Sequence, residues 1–252
     1  MKKQQLINEI NNLPKFELKR VALNDKEEWK ERETFKAVTE VGKLYPFCFV
    51  TGAYRLIQMS DIFLPLLKKL DNIDGQLIYG NGMAIMDVFP DGEEFSEGNT
   101  KFGIVCYNSV NTQSAINIRF CITTTGITIT IPSSIKGFKR VHVGKALELT
   151  TSYIEVIGKI KETWRNIIKY FADEVVTEED APELLKNLGI DFRLREKIKK
   201  ELKEGAKMNL WDVFIRAIKI ISEKQYKNEV NRRRRLDKLS KKVFDYAVAS
   251  GL

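Results

Sequence analysis

One histidine, three cysteines and six prolines are spread over 252 residues, and these scarcities exclude several kinds of chemistry. With His142 as the only imidazole, a zinc site built from His and Cys is short of ligands, and a Ser-His-Asp triad has one residue to draw on. Cys48, Cys106 and Cys121 are odd in number, widely spaced and without a Cys-x-x-Cys pair, and each sits in an apolar, strand-like run. They read as buried reduced thiols. Long hydrophobic runs are missing too. No stretch approaches the roughly 18 apolar residues of a spanning helix, and "MKKQQLINEINNLP" has lysines but neither an apolar core nor a small-residue cleavage site. The expectation is a protein of the cytoplasm, inside a host cell, with no membrane partner and no cofactor or metal.

The most informative scarcity is local. Although the chain carries 34 Asp+Glu, none falls between Glu97 and Glu148, a window that holds Lys101, Arg119, Lys136, Lys139, Arg140 and Lys145. Phosphate oxygens need donors that neighbouring acids have not neutralised, and Ser, Thr and Asn add hydrogen bonds indifferent to base sequence. Within it, "SSIKGFKRVHVGK" has Gly137 and Gly144, which let backbone N–H groups come close to an anion where a helix begins. Phe138, between Gly137 and Lys139, is the ring best placed for exposure in a loop. The competing explanation is β propensity, which depletes strands of acids and leaves a solvated basic loop behind them.

Charge elsewhere is segregated. Residues 191–252 carry 18 Lys+Arg against 9 Asp+Glu, while residues 1–190 carry 24 against 25. A pI of 9.2 with localised charge is what a nucleic-acid partner requires, and an acidic protein or anionic lipid would produce it as well. A thermophilic or AT-rich source would raise the total charge without segregating it. Arg232, Arg233, Arg234 and Arg235 form one block in a helical pattern. Consecutive helical residues splay over about 300°, so the four cannot share a face: some contact a polyanion or subunit, or their stems lie over apolar surface.

The chain has 43% hydrophobic and 30% charged residues, a globular composition. A short helix is expected before Pro14, then a strand from "KFELKRVAL", then β-prone sequence to Ile57 punctuated by Gly42, Pro46 and Gly52. "SDIFLPLLKKLDN" reads as an amphipathic helix with Ser60 as N-cap and Pro65 in or near its first turn. "GNG" at 80–82 and "PDG" at 90–92 are turns between apolar runs. Further strands are expected over 102–107, 115–123 and 126–131. In "GITITI" the isoleucines at 127, 129 and 131 face one way, and Thr128 and Thr130 the other as a hydroxyl face open for binding. A long helix is expected over 144–175, with Trp164, Ile167 and Phe171 on its apolar stripe, then four helical segments, "TEEDAPELLKNLG", "DFRLREKIKKELKEG", "NLWDVFIRAIKIISEKQY" and "NRRRRLDKLSKKVFDYAVAS". The fold class is α+β: a mostly antiparallel β-sheet packed by a long helix, followed by a basic helical C-terminal region. The division is a core domain over 1–175 and a helical region over 176–252.

Aromatics interleave with cations at Tyr45, Phe47, Phe49, Tyr54 and Tyr107; exposed rings would stack unpaired bases, although burial is the commoner fate of a ring. The carboxylates Asp91, Glu93, Glu94 and Glu97, near Lys101, crowd a turn and do not straddle two strands as a metal nuclease requires.

The segments "YRLIQMSDIF", "VCYNSVNTQSAINIRFCITTTG", "HVGKALEL" and "NLWDVFIRAIKIISEK", followed by "NRRRRLDKLSKKVFDYA", together resemble the phage- and plasmid-borne family catalogued as domain of unknown function 932. Asn108, Ser109, Arg119 and Cys121 keep the family's polar pattern, while its Asp-Gly and a later Asn are missing here. The resemblance implies a mobile-genetic-element context, viral or plasmid. A weaker likeness in layout to single-strand annealing proteins of the recombination-mediator type implies a homo-oligomer. The resulting expectation is a non-enzymatic DNA-binding protein, favouring single strands, that promotes annealing or recombination. Its contacts are Arg119, Lys136, Gly137, Phe138, Lys139, Arg140, His142, Lys145 and the four arginines. The alternative is a metal-dependent nuclease using the Asp87 to Glu97 carboxylates.

Overall fold

A computed structural model of the chain describes residues 1–25, 28–52, 54–68, 70–97, 99–110, 117–124, 126–131, 141–142, 164–190, 192–223 and 225–249. It is an α+β protein. Helix α1 (Lys3–Asn11) leads into strands β1 (Phe16–Asp25), β2 (Glu28–Glu40) and β3 (Cys48–Thr51), then α2 (Met59–Lys68), β4 (Ile73–Gly80) and β5 (Met83–Pro90). A single 3-10 turn (Glu93–Phe95) precedes β6 (Ser96–Glu97), β7 (Thr100–Ser109), β8 (Asn117–Thr124), β9 (Ile127–Thr130) and β10 (Val141–His142). Helix α3 covers 164–173, and β11 (Val175–Val176), α4 (Ala181–Asn187), α5 (Phe192–Lys203), β12 (Met208–Asn209), α6 (Leu210–Glu223) and α7 (Glu229–Ala249) follow.

The strands form a three-stranded sheet of order β1-β2-β3, a larger sheet of order β10-β8-β7-β5-β4 in which β6 pairs β7 and β9 pairs β8, and a β11-β12 pair. The pairings β1–β2, β2–β3, β4–β5, β6–β7, β8–β9, β8–β10 and β11–β12 are all antiparallel. Contacts divide the chain into one unit of Met1–Pro90, Cys106–Ile118 and Val141–Thr150, and a second of Asp91–Val105, Arg119–Arg140 and Thr151–Leu252. The C-terminal helices thus share a unit with strand segments from the middle of the chain.

In the first unit the β4–β5 hairpin turns through Asn81 (φ 53°) and Gly82 (φ 67°). Two successive positive φ values define a type I′ turn, whose twist matches that of the flanking strands. Gly82 is required twice over, because a Cβ there would run into the Phe47 ring and the Val110 side chain. Helix α2 begins two residues earlier than a Ser60 cap implies, at Met59. Gln58 N–H donates to Asp61 Oδ2 at 3.3 Å, so Asp61, not Ser60, supplies the capping contact. Pro65 consequently lies in the second turn, inside the helix, and removes one backbone hydrogen bond there. The helix tolerates this with an apolar face of Ile62, Phe63, Leu66 and Leu67 fully packed away. The Gln58 side chain pairs with Phe16 in both directions: Nε2 donates to Phe16 O at 2.7 Å and Phe16 N–H donates to Oε1 at 3.1 Å. This fixes where β1 starts.

The second unit is held by rings. Trp164 and Phe171 of α3, Trp211 and Phe214 of α6 and Phe244 of α7 meet with centroids 5.7–6.3 Å apart, and Trp164 meets Phe102 of β7 edge-on at 6.4 Å. Offset and edge-on pairs of this kind add to the area each ring buries. The expected helix over 144–175 is described only from 164, and it stops at 173 because Val175 and Val176 are taken into β11. Its earlier part lies outside the described residues.

All three cysteines remain thiols. Burial pushes the Cys106 thiol far above its ordinary range and raises Cys48 as well; Cys48 Sγ–H points to Val110 O at 3.5 Å. A raised pKa leaves less of the nucleophilic thiolate at neutral pH. Native protein should therefore label slowly at Cys48 and hardly at all at Cys106 with a thiol reagent at pH 7.5, while denaturant exposes every thiol; fast native labelling of Cys106 contradicts this packing. Gly82→Ala is expected to lower unfolding free energy by about 2 kcal/mol in chemical denaturation.

Candidate nucleic-acid interface

The hydroxyl face expected at Thr128 and Thr130 is not open. Both residues are buried, Thr130 to 2% exposure, because α7 lies across β9 with polar groups that match the strand. Arg233 Nη2 donates to Thr130 Oγ1 at 3.2 Å, Ser240 Oγ donates to Thr130 O at 2.9 Å, and Thr130 N–H donates to Asp237 Oδ1 at 3.3 Å. Arg233 Nε also donates to Asp237 Oδ1 at 3.1 Å. Ile129 and Ile131 are buried on the other side, so β9 is covered on both faces. The acid-free stretch thus meets a carboxylate, Asp237, that arrives from a distant part of the sequence.

This network sorts the arginine block. Arg233 is 3% exposed and committed to Asp237 and Thr130, so as placed it does not reach a polyanion. Arg232 is half-buried and paired with Glu229, while Arg234 and Arg235 are exposed. Arg119 is half-buried on β8. His142 contributes backbone to β10 opposite Asn117, and its side chain is outside the description. Lys136, Gly137, Phe138, Lys139, Arg140 and Lys145 all lie outside the described residues.

The carboxylates of the nuclease reading take separate places. Asp87 is fully buried on β5 and accepts from Gln76 Nε2 of the facing β4 residue at 2.5 Å. Asp91 and Glu93 are exposed. Among the described residues no three His, Cys, Asp or Glu side chains come together as a metal would need, and no helix is long and apolar enough to cross a membrane.

A surface that the sequence left to the core is open instead. Phe35 is 50% exposed, Phe49 60% and Tyr45 84%, with Leu44 and Phe47 also exposed; Tyr107 is buried and Tyr54 half-buried. The register explains the grouping. Phe35 lies opposite Thr51 and Ala37 opposite Phe49 across β2–β3, and Lys19 lies opposite Ala37 across β1–β2. Residues directly opposed, and those two apart on one strand, share a sheet face. Lys19, Ala37 and Phe49 therefore form a row across all three strands, with Phe35 diagonal to Phe49. The other face carries Phe16, Val38 and Val50, which are buried. Lys19 pairs with Glu17 on the same face at 3.1 Å, both half-exposed, a contact that water and salt screen. Loop 41–47 adds Tyr45 and exposed Lys43 beside this sheet's edge, tethered by Phe47 N–H donating to Val38 O at 2.7 Å and by the Phe47 ring edge-on to Phe16 at 5.7 Å.

The alternation in "TFKAVTE" marks two faces of a strand but does not say which is covered, and on the face of Phe35 and Phe49 the smaller Ala37 and Thr39 are themselves buried. Comparison with family models, characterised proteins and solved structures finds no match to this chain.

Buried Arg233 and its exposed neighbours should respond differently to mutation. Arg233→Ala takes the cation from half-buried Asp237 and one donor from buried Thr130, and is expected to cost about 3 kcal/mol. Arg234→Ala and Arg235→Ala should stay within about 0.5 kcal/mol; equal effects in urea unfolding would contradict the network.

Proposed function

We propose that this protein binds single-stranded nucleic acid, DNA in the first instance, with bases stacked on the β1–β3 face and phosphates met by lysines around it. The observation that carries the reading is the pair of exposed rings, Phe35 and Phe49, set diagonally on one sheet face in line with Lys19. Every base has a π-face, so a stacking platform accepts any sequence, and it demands bases that are not paired in a duplex. Lys43 and Tyr45, both exposed on the adjoining loop, extend the same mixture of charge and ring. The resemblance to a phage- and plasmid-borne family agrees with this reading, as does the basic pI, and annealing or recombination within a homo-oligomer is the biological setting it suits. No reaction is assigned to it.

Fluorescence anisotropy with labelled oligo-dT tests the proposal. Phe35→Ala and Phe49→Ala are each expected to weaken binding about tenfold, since a stacked base is worth about 1 to 3 kcal/mol, with little change in melting temperature because both rings are already exposed. Phe49→Tyr should bind as the parent does. Log affinity should fall with log salt by about 0.7 per phosphate neutralised, and a duplex of the same length should bind more weakly. Unchanged affinity in the folded double variant Phe35→Ala/Phe49→Ala would remove the platform from consideration.

A further inference from the structure

The second unit contains a cleft that the nucleic-acid reading does not use. It is a cavity of about 360 Å³ walled by the end of α4, by α6, by Tyr226 and by α7, in the range of pockets that hold small ligands or a few side chains. Its apolar lining includes Leu188, Ile190, Ala217, Ile221 and Leu239, and its cations are Arg235, Lys238 and Lys242. Among the described residues no carboxylate lines it. The three cations are spaced i, i+3, i+7, one stripe along α7, and among the described residues none of them has a carboxylate within ion-pair distance.

Local structure holds the third cation in place. Helix α4 ends in a Schellman motif: Gly189 (φ 64°) N–H donates to Lys186 O at 2.9 Å and Ile190 N–H to Leu185 O at 3.0 Å. The missing side chain at Gly189 leaves room for the Lys242 ammonium, which a Cβ there would run into. This places a positive charge against the C-terminal end of α4, where the helix dipole favours it.

We propose that this cleft docks an acidic segment of a partner protein, one apolar side chain filling the cavity and flanking carboxylates meeting Arg235, Lys238 and Lys242. Charge complementarity selects the sign of the partner. The floor selects its kind. Apart from Tyr226, the described lining side chains are aliphatic or cationic, so the polar edges of an inserted base would find few partners among them and lose their hydrogen bonds to water. A Leu, Ile or Phe side chain gives up no hydrogen bond on entering. The distance also fits: Arg235 to Lys242 spans about 10.5 Å of helix axis, which about three residues of extended peptide cover. Alternating acidic and apolar side chains on such a strand would reach rim and floor together.

The test is anisotropy with a short fluorescein-labelled peptide carrying aspartates around a Leu-Phe pair, titrated with the full chain. Binding is expected, with at least a tenfold loss when the Leu-Phe pair is replaced by Ser-Gly. A comparable loss is expected in the protein variant Arg235→Glu/Lys238→Glu, whose exposed positions leave folding intact by circular dichroism. Phe35→Ala/Phe49→Ala should bind the peptide as the parent does, which separates this site from the stacking platform. Three results would each overturn the proposal: no binding of the parent peptide, equal binding of the Ser-Gly peptide, or loss of oligo-dT affinity in the charge-reversed variant with dT displacing the peptide, which would assign the cleft to nucleic acid.

Discussion

The orientation of α7 on β9 governs what the second unit presents to solvent, and a buried guanidinium governs that orientation. Taking Arg233 out of water is costly unless its charge and donors are met, and here Asp237 Oδ1 and Thr130 Oγ1 meet them. Thr130 in turn uses its N–H and C=O on Asp237 and Ser240. Among the described residues β9 pairs only with β8, so its other edge has backbone groups to satisfy, and the side chains of α7 perform that service. At about 100° per residue, Arg233, Asp237, Ser240 and Phe244 cluster on one side of the helix. Arg235, Lys238 and Lys242 then centre roughly 180° away. The network that buries one arginine is thus what points the basic stripe into the cleft.

The three-stranded sheet shows the opposite economy. One face is closed by Phe16, Val38 and Val50, while the other leaves two phenyl rings in water. Burying such a ring is worth about 1.5 to 3 kcal/mol, so a face that forgoes this twice is distinguished from scattered surface apolar residues by its grouping. Strand β3 is only four residues long, and a short edge strand resists indiscriminate pairing. A cationic residue in line with the rings biases such a face toward polyanions, whereas an oligomer interface of the same size would profit from fewer charges at its centre.

Much of the fold was legible because its signals are local. Gly80–Asn81–Gly82 announces a hairpin through the positive φ that its residues tolerate; the apolar spacing of α2 and α7 announces helices; short, apolar contexts announce buried thiols at Cys106 and Cys121. What failed was non-local. The alternation of Ile and Thr in β9 correctly separates two faces, yet no period of two can say that a helix a hundred residues later carries Arg, Asp and Ser at i, i+4 and i+7 to cover the hydroxyl side. The same blindness reversed the fate of the aromatics: Tyr107 and Phe49 sit in similar apolar surroundings in sequence, and only the register places one in the interior and the other on an open face. The Pro65 error has a different origin, since a Ser before an apolar run is a common cap signal and Asp61 competed for the role one position on.

Net charge also needs this sorting before it supports a function. The excess over 191–252 includes many cations paired with acids on the surface: Lys199 with Glu196, Lys200 with Glu204, Arg216 with Glu201, Arg232 with Glu229 and Lys241 with Asp245. Such exposed pairs each contribute little stability, but at long range they cancel and leave no directed field. Arg233 is neutralised in the interior. Among the described residues, Arg235, Lys238 and Lys242 are three cations with no carboxylate at ion-pair distance, set on one stripe beside an apolar cleft. A chain that needed basicity for solubility alone would gain as much from scattered lysines. Concentrating it next to a cavity raises the local attraction for anions over a low-dielectric wall, which is the arrangement that turns net charge into recognition.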